Sequence, residues 1–252
     1  MNILLRDKVA MVTGASRGIG RAIALDMARA GADIILASRK QDELEKVADE
    51  IRAIGRRALP VAAHIGKMPD IVNLVNKAIK SFKRIDILVN NAAANPTMDP
   101  AIFASERAWD TIMNLNLKGL FFLSQAVAQI MKDTGTGVII NIASVSGILA
   151  HTTLPVYAIS KAGVIHATKI MAADWAQYGI RVNTISPGQV KTHLSQALWS
   201  NPEIYAMMLE RTPLKRMAEP AEIASAAVFL ASDCASYITG QNFLIDGGIS
   251  LI

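Results

Sequence analysis

Short runs without polar interruption alternate along the chain with longer runs in which apolar residues recur every three or four positions. The short runs are KVAMVTG (8–14), DIILAS (33–38), ALPVAAHI (58–65), IDILVNN (85–91), GVIINIAS (137–144), IRVNTIS (180–186) and NFLID (242–246). Near-continuous apolar character over four to eight residues is the pattern of strands buried on both faces of a parallel sheet. Helical periodicity falls at about 17–30, 41–54, 69–82, 105–132, 156–178 and 221–231, and Gly31, Gly55 and Gly179 stand where three of these helices should stop. The alternation predicts an α/β fold, a doubly wound, seven-stranded parallel sheet with helices on both faces.

No linker, repeat or low-complexity segment breaks the pattern, so residues 1–252 are expected to form a single domain. Its least regular stretch, 188–218, carries Trp199, Pro202, Tyr205, the Met207–Met208 pair and Pro213, and is expected to be a long loop that closes over substrate. With 52% hydrophobic and 19% charged residues the chain can bury a sizeable core. The net charge of +5 is mild, and without a basic run or a basic–aromatic ladder it does not suggest nucleic acid. The single cysteine, Cys234, excludes an intrachain disulfide and is expected to be a small core residue. No apolar run is long enough for a membrane span. The first residues lack the pattern of a secretory leader and ISLI is not a peroxisomal address, so a soluble cytoplasmic protein is expected.

Composition says little about chemistry; two motifs say more. The first strand runs directly into TGASRGIGRAIAL (13–25), with Gly14, Gly18 and Gly20 in a G-x-x-x-G-x-G spacing. Gly14 permits the sharp turn, while Gly18 and Gly20 let backbone approach a diphosphate and let the helix pack on the sheet. The helix N-terminus offers unpaired N–H groups and partial positive charge, the phosphate end of a Rossmann-type dinucleotide site. Cofactor choice is read where the second strand ends, at Ser38, Arg39 and Lys40. No carboxylate stands there to bind ribose hydroxyls, and Arg17 adds a further cation from the loop. This predicts NADP(H) over NAD(H), with guanidinium gripping the 2′-phosphate.

The second motif is VYAISKAG (156–163), in which Tyr157 and Lys161 are one helical turn apart. Spacing alone leaves two readings open: a solvated helix face, or a phenol tuned by its neighbour for proton transfer.

TGASRGIG, NNAA (90–93), Asn116 in NLNLKG, NIASVSG with Ser144, YAISK and ISPG (185–188) follow one another in that order. With them the whole chain resembles the single-domain short-chain dehydrogenases/reductases. ASRK, AHIGK (63–67) and LSQALW (194–199) are most similar to the NADP-dependent carbonyl and retinal reductases of the peroxisomal type. The resemblance implies hydride transfer between NADP(H) and a ketone, aldehyde or secondary alcohol; 3-oxoacyl thioester reduction and sugar or polyol dehydrogenation are the alternatives within the family. A non-enzymatic dinucleotide sensor is disfavoured because Asn116, Ser144, Tyr157 and Lys161 are all present. In the implied mechanism Tyr157 passes the proton, Lys161 lowers its pKa and holds the nicotinamide ribose, Ser144 steadies the carbonyl oxygen, and Asn116 holds a water beside the lysine.

The resemblance further implies cofactor contacts from Ser16, Ile19, Ile65, Asn91, Ala92 and Ala93, and, after the sixth strand, from Pro187, Gly188, Val190 and Thr192. Substrate would meet Ser144, Ser146, Tyr157, Asn95, His151, Gln189 and the apolar Leu194, Leu198 and Trp199, with His151 as pocket wall. No histidine cluster has metal-site spacing, so no catalytic metal is expected. Two departures stand out: Ala93 replaces the family's usual glycine, and His64 stands where the family has an aspartate that contacts adenine. The implied assembly is a homotetramer.

Overall fold

The computed structural model describes residues 4–193 and 195–252. Its centre is a seven-stranded sheet: β1 Val9–Thr13, β2 Asp33–Ser38, β3 Ala58–Ala62, β4 Ile87–Asn90, β5 Gly137–Ile142, β6 Ile180–Pro187 and β7 Asn242–Ile245. The spatial order is β3-β2-β1-β4-β5-β6-β7 and every pairing is parallel, with Val9 opposite Asp33 and Ala10 opposite Ile87 on the two sides of β1. The order reverses between β1 and β4. Crossovers leave these two strands in opposite directions, which opens a crevice at their carboxyl ends.

Nine helices are described: α1 Gly18–Arg29, α2 Gln41–Ala53, α3 Met68–Phe82, α4 Glu106–Met113, α5 Leu120–Thr134, α6 Pro155–Trp175, α7 Gln196–Trp199, α8 Pro202–Glu210 and α9 Pro220–Ala231. Successive strand residues face opposite ways, so the continuous apolar runs feed two cores. Val12, Ile34, Val89 and Ile140 pack with α1, α2 and α9. Met11, Ile35, Leu88 and Ile139 pack on the other face with α3, α5 and α6. No helix among the described residues is long and apolar enough to cross a membrane.

Four features differ from the expectations. The third strand stops at Ala62 rather than 65, because the carboxylate of Asp70 accepts the His64 N–H at 2.8 Å and turns the chain into α3. The helix expected over 105–132 is α4 and α5 joined by one π-helical turn, Asn114–Gly119. The 188–218 excursion is partly helical. Asn201 caps α8, accepting from the Glu203 and Ile204 N–H groups, and Pro202 begins it, a start signal written in the sequence. Cys234 is exposed, not a core residue: it lies in a 3₁₀ turn, Asp233–Ala235, beyond α9.

Candidate active site

At the phosphate end, β1 delivers Gly14 to the crevice and α1 begins at Gly18. The chain beyond β4 braces this turn. Thr13 Oγ1 accepts the Asn91 and Ala92 N–H groups at 3.0 and 3.1 Å, and Asn91 Nδ2 donates to the Thr13 carbonyl at 2.9 Å. A Cβ at Gly20 would overlap the Gly14 carbonyl oxygen, so this close approach is open only to glycine. No side chain caps the N-terminus of α1, which leaves its first N–H groups for an anion.

A cleft of about 310 Å³ opens beside this turn. The glycine loop contributes Gly14, Ser16, Arg17, Gly18 and Ile19, and the end of β2 contributes Ser38, Arg39 and Lys40. His64 and Ile65 line it from beyond β3, Asn91, Ala92 and Ala93 from beyond β4, and Thr192 from beyond β6. Of the residues expected to meet a cofactor, these fourteen are brought to one cleft. Gly20, Pro187 and Val190 are buried beneath it, with Val190 only 5% exposed and bridged to Ala218. Gly188 packs against Asp246, and Tyr157 and Lys161 belong to the catalytic end described below.

The cleft fits a dinucleotide with an additional phosphate. Ser38 Oγ is buried without a hydrogen-bond partner, and three exposed cations surround it. Ala93 keeps a negative φ, so its methyl replaces glycine without backbone strain. His64 is turned onto its own loop, its Nδ1 accepting the Gly66 N–H at 3.1 Å. Glu43, His193, Leu115 and Ala94 also line the cleft and were not foreseen. The signal for Glu43 was its i+3 spacing from Lys40 on a helix start.

The catalytic end is built on β5 and α6. Ser144 follows β5 in extended backbone, its Oγ accepting the Ser146 N–H at 3.1 Å. Tyr157 enters on the first turn of α6, with Ser144 near enough to favour its ionised form. Lys161, one turn on, is 2% exposed; its Nζ donates to the Ile142 carbonyl at 2.8 Å and lies 5.6 Å from the centre of the Tyr157 ring.

Burial governs both ionisations. Desolvation pushes the Tyr157 phenol up to about 12, with the Ser144 hydrogen bond pulling the other way, and brings the Lys161 ammonium down to about 8. In the protein alone burial thus holds the phenol above its ordinary value, where the pairing with Lys161 and a bound cofactor was expected to bring it below. At neutral pH both groups carry their protons.

Asn116 is fully buried in the π-helical turn. Its Oδ1 accepts the Ala94 N–H at 2.9 Å, and its Nδ2 donates to the Ala94 carbonyl at 3.0 Å and to Ser160 Oγ at 3.2 Å. The amide thus clamps the loop after β4 to α6. Gly119, at the end of the same turn, lies so close to Ile65 that a Cβ would overlap its carbonyl oxygen. One irregular turn thus joins the two ends of the site, in keeping with the placement of π turns at functional positions.

Behind this end runs a buried polar chain that hydropathy did not reveal. Asn90 Nδ2 donates to Ser124 Oγ and Asn141 Oδ1, Asn141 Nδ2 donates to Thr168 Oγ1, and Thr184 Oγ1 donates to Thr168 Oγ1, all at 2.8–2.9 Å. It fixes β4, β5 and β6 against α5 and α6.

The expected substrate residues are spread more widely. Ser144 lies near the Tyr157 phenol. Ser146 is buried, 7% exposed, and supports Ser144 through its N–H. Asn95 and Gln189 are half-buried, and the Gln189 carbonyl accepts the Ala218 N–H. Trp199 is tied back to its own loop, Nε1 donating to the Thr192 carbonyl at 3.1 Å. His151 is half-buried; desolvation, and then the Arg211 charge, hold its imidazole below the usual range. Leu194 lies outside the described residues, as does the side chain of Leu198.

A glycine-braced crevice at the sheet's reversal point and a Ser–Tyr–Lys group beside it together define a class, and comparison with known proteins agrees. A family model described as enoyl-(acyl carrier protein) reductase matches residues 14–250. The chain belongs to the short-chain dehydrogenase/reductase family. It is 40% identical over 245 residues to 2-dehydro-3-deoxy-D-gluconate 5-dehydrogenase of Escherichia coli (strain K12), covering 97% of this chain and 96% of that one. It is 35% identical over 244 residues to dehydrogenase/reductase SDR family member 4 of Rattus norvegicus, covering 97% and 88%. Among solved structures, a gluconate 5-dehydrogenase from Burkholderia cenocepacia J2315 in complex with NADP and tartrate superposes with a TM-score of 0.95 at 35% identity, covering 100% of this chain and 98% of that one.

Proposed function

We propose that the chain is an NADP(H)-dependent oxidoreductase that interconverts a ketone and a secondary alcohol. The observation that carries this reading is the Ser144–Tyr157–Lys161 group placed beside the glycine-braced cleft. Bound along that cleft, NADP(H) supplies or accepts the hydride. The Ser144 hydroxyl donates to the substrate oxygen as charge builds on it. Tyr157, protonated throughout the neutral range, delivers its proton to the same oxygen. The Lys161 ammonium stabilises the phenolate left behind, and the Ile142 carbonyl holds it in place. Asn116 positions α6 and the Ala94 loop without touching the reacting atoms.

A second reading, a polyol or sugar-acid dehydrogenase, draws on the sugar-acid relatives and on Arg211, whose charge reaches His151 at the edge of α8. A carboxylate on the substrate would find a cation there. The exposed Ile102, Phe103 and Trp109, with Ile159 and Ile170 of α6, support the homotetramer. The test is consumption of NADPH against simple ketones, diketones, retinal, acetoacetyl thioesters and keto-sugar acids. Turnover of neutral ketones supports the first reading and turnover confined to keto acids the second. NADPH binding with no turnover of any carbonyl contradicts both.

A further inference from the structure

The phosphate end of the cleft contains a carboxylate that its cations do not call for. Glu43 stands in the first turn of α2 and lines the cleft with Arg17, Arg39 and Lys40. Among the described residues it is the one acidic side chain in that lining. Its Oε1 lies 3.0 Å from Lys40 Nζ, and both groups remain open to solvent, 32% and 68% exposed. Other carboxylates of α2 pair away from the cleft, Glu45 and Asp49 with Arg52 and Glu50 with Arg21. The hydrogen bond from Lys40 holds the Glu43 carboxyl below the usual range, with Ser16 and Arg17 adding to it, so the group is anionic at neutral pH.

A 2′-phosphate entering this pocket meets three cations, but one of them is already engaged by an anion of its own size. A 2′-hydroxyl has the opposite experience: the carboxylate can accept its proton in a hydrogen bond, as acidic residues do for ribose. We propose that Glu43 is a cofactor-selectivity residue, which opposes the 2′-phosphate by engaging Lys40 and accepts the 2′-hydroxyl of NAD(H), so that the chain binds both dinucleotides. The proposal rests on the dinucleotide reading of the cleft and not on the identity of the carbonyl substrate.

Its test is equilibrium binding of NADPH and NADH, followed by nucleotide fluorescence without substrate, to the wild type and to Glu43→Gln. 2′,5′-ADP and 5′-AMP serve as thermal-shift probes of the same pocket. Glu43→Gln is expected to bind NADPH about threefold or more tightly, to bind NADH about threefold or more weakly, and to gain a larger shift from 2′,5′-ADP. An NADPH-to-NADH affinity ratio within about twofold of wild type, or one that moves toward NADH, overturns the proposal. Failure of the wild type to bind either dinucleotide overturns the cofactor reading itself.

Discussion

The two ends of the cleft use their cations in opposite ways. Lys40 at the phosphate end is 68% exposed and shares its charge with Glu43; Lys161 at the catalytic end is 2% exposed and donates to a backbone carbonyl. A solvated cation attracts anions over a Debye length and is screened by salt. A buried one is insulated from salt, but desolvation moves its pKa, here down to about 8. In the proposed reading, selectivity for the cofactor lies where single substitutions are easily accommodated. In the same reading, the proton chemistry lies where packing holds the Lys161 ammonium in place.

Tyr157→Phe breaks the catalytic end alone. Single-turnover hydride transfer is expected to fall by about 10²–10⁴, while NADPH affinity stays within about twofold. A rate within about tenfold of wild type would remove Tyr157 from the proton path.

Gly119→Ala attacks the joint between the ends, forcing a methyl onto the Ile65 carbonyl. A loss of about 3 kcal/mol in denaturant-induced unfolding is expected, with weaker cofactor binding and slower transfer together. Damage confined to one of these functions would show that the π-helical turn does not connect them.

Lys161 provides a pH signature. Its folded pKa of about 8 lies below the ordinary lysine value, so the folded chain releases this proton first. From about pH 8 toward 10 the unfolded state binds more protons, and folding stability attributable to Lys161 rises with pH. Measured against Lys161→Met without cofactor, the wild type should gain about 1–2 kcal/mol between pH 8 and 9.5. The raised phenol of Tyr157 acts oppositely, but only above about pH 10. A flat difference curve would mean that Lys161 is not desolvated.

Arg39→Asp alters the phosphate end alone. The NADPH-to-NADH ratio of kcat/KM should drop by about tenfold or more, with kcat at saturating cofactor nearly unchanged. A retained NADPH preference would remove Arg39 from the 2′-phosphate pocket.

Most of the phosphate end was legible in the sequence because its function lies in backbone geometry: glycines at fixed spacing between an apolar strand and a helix can do little else. The parallel sheet was legible for a similar reason, since strands covered on both faces read as unbroken apolar runs. What escaped depends on contacts between distant residues. A π turn does not disturb hydrophobic period enough to show, so Asn114–Gly119 read as ordinary helix. Glu43 drew no notice, because its place in the cleft depends on how α2 packs beside the glycine loop. The Asn90–Asn141–Thr168–Thr184 chain is made of residues that look neutral until the fold stacks them. The ionisation of Tyr157 was read from its pairing with Lys161, whereas burial in the surrounding fold moves both groups.

Ionic strength separates the two ends most directly. NADPH dissociation constants and single-turnover hydride-transfer rates at saturating NADPH are to be measured on the same wild-type protein from about 50 to 500 mM NaCl. With exposed cations at one end and a single buried one at the other, the dissociation constant should rise severalfold while the rate stays within about twofold. A salt-independent affinity, or a rate that falls in step with it, would contradict the division of the cleft into a solvated selectivity end and a buried proton-transfer end.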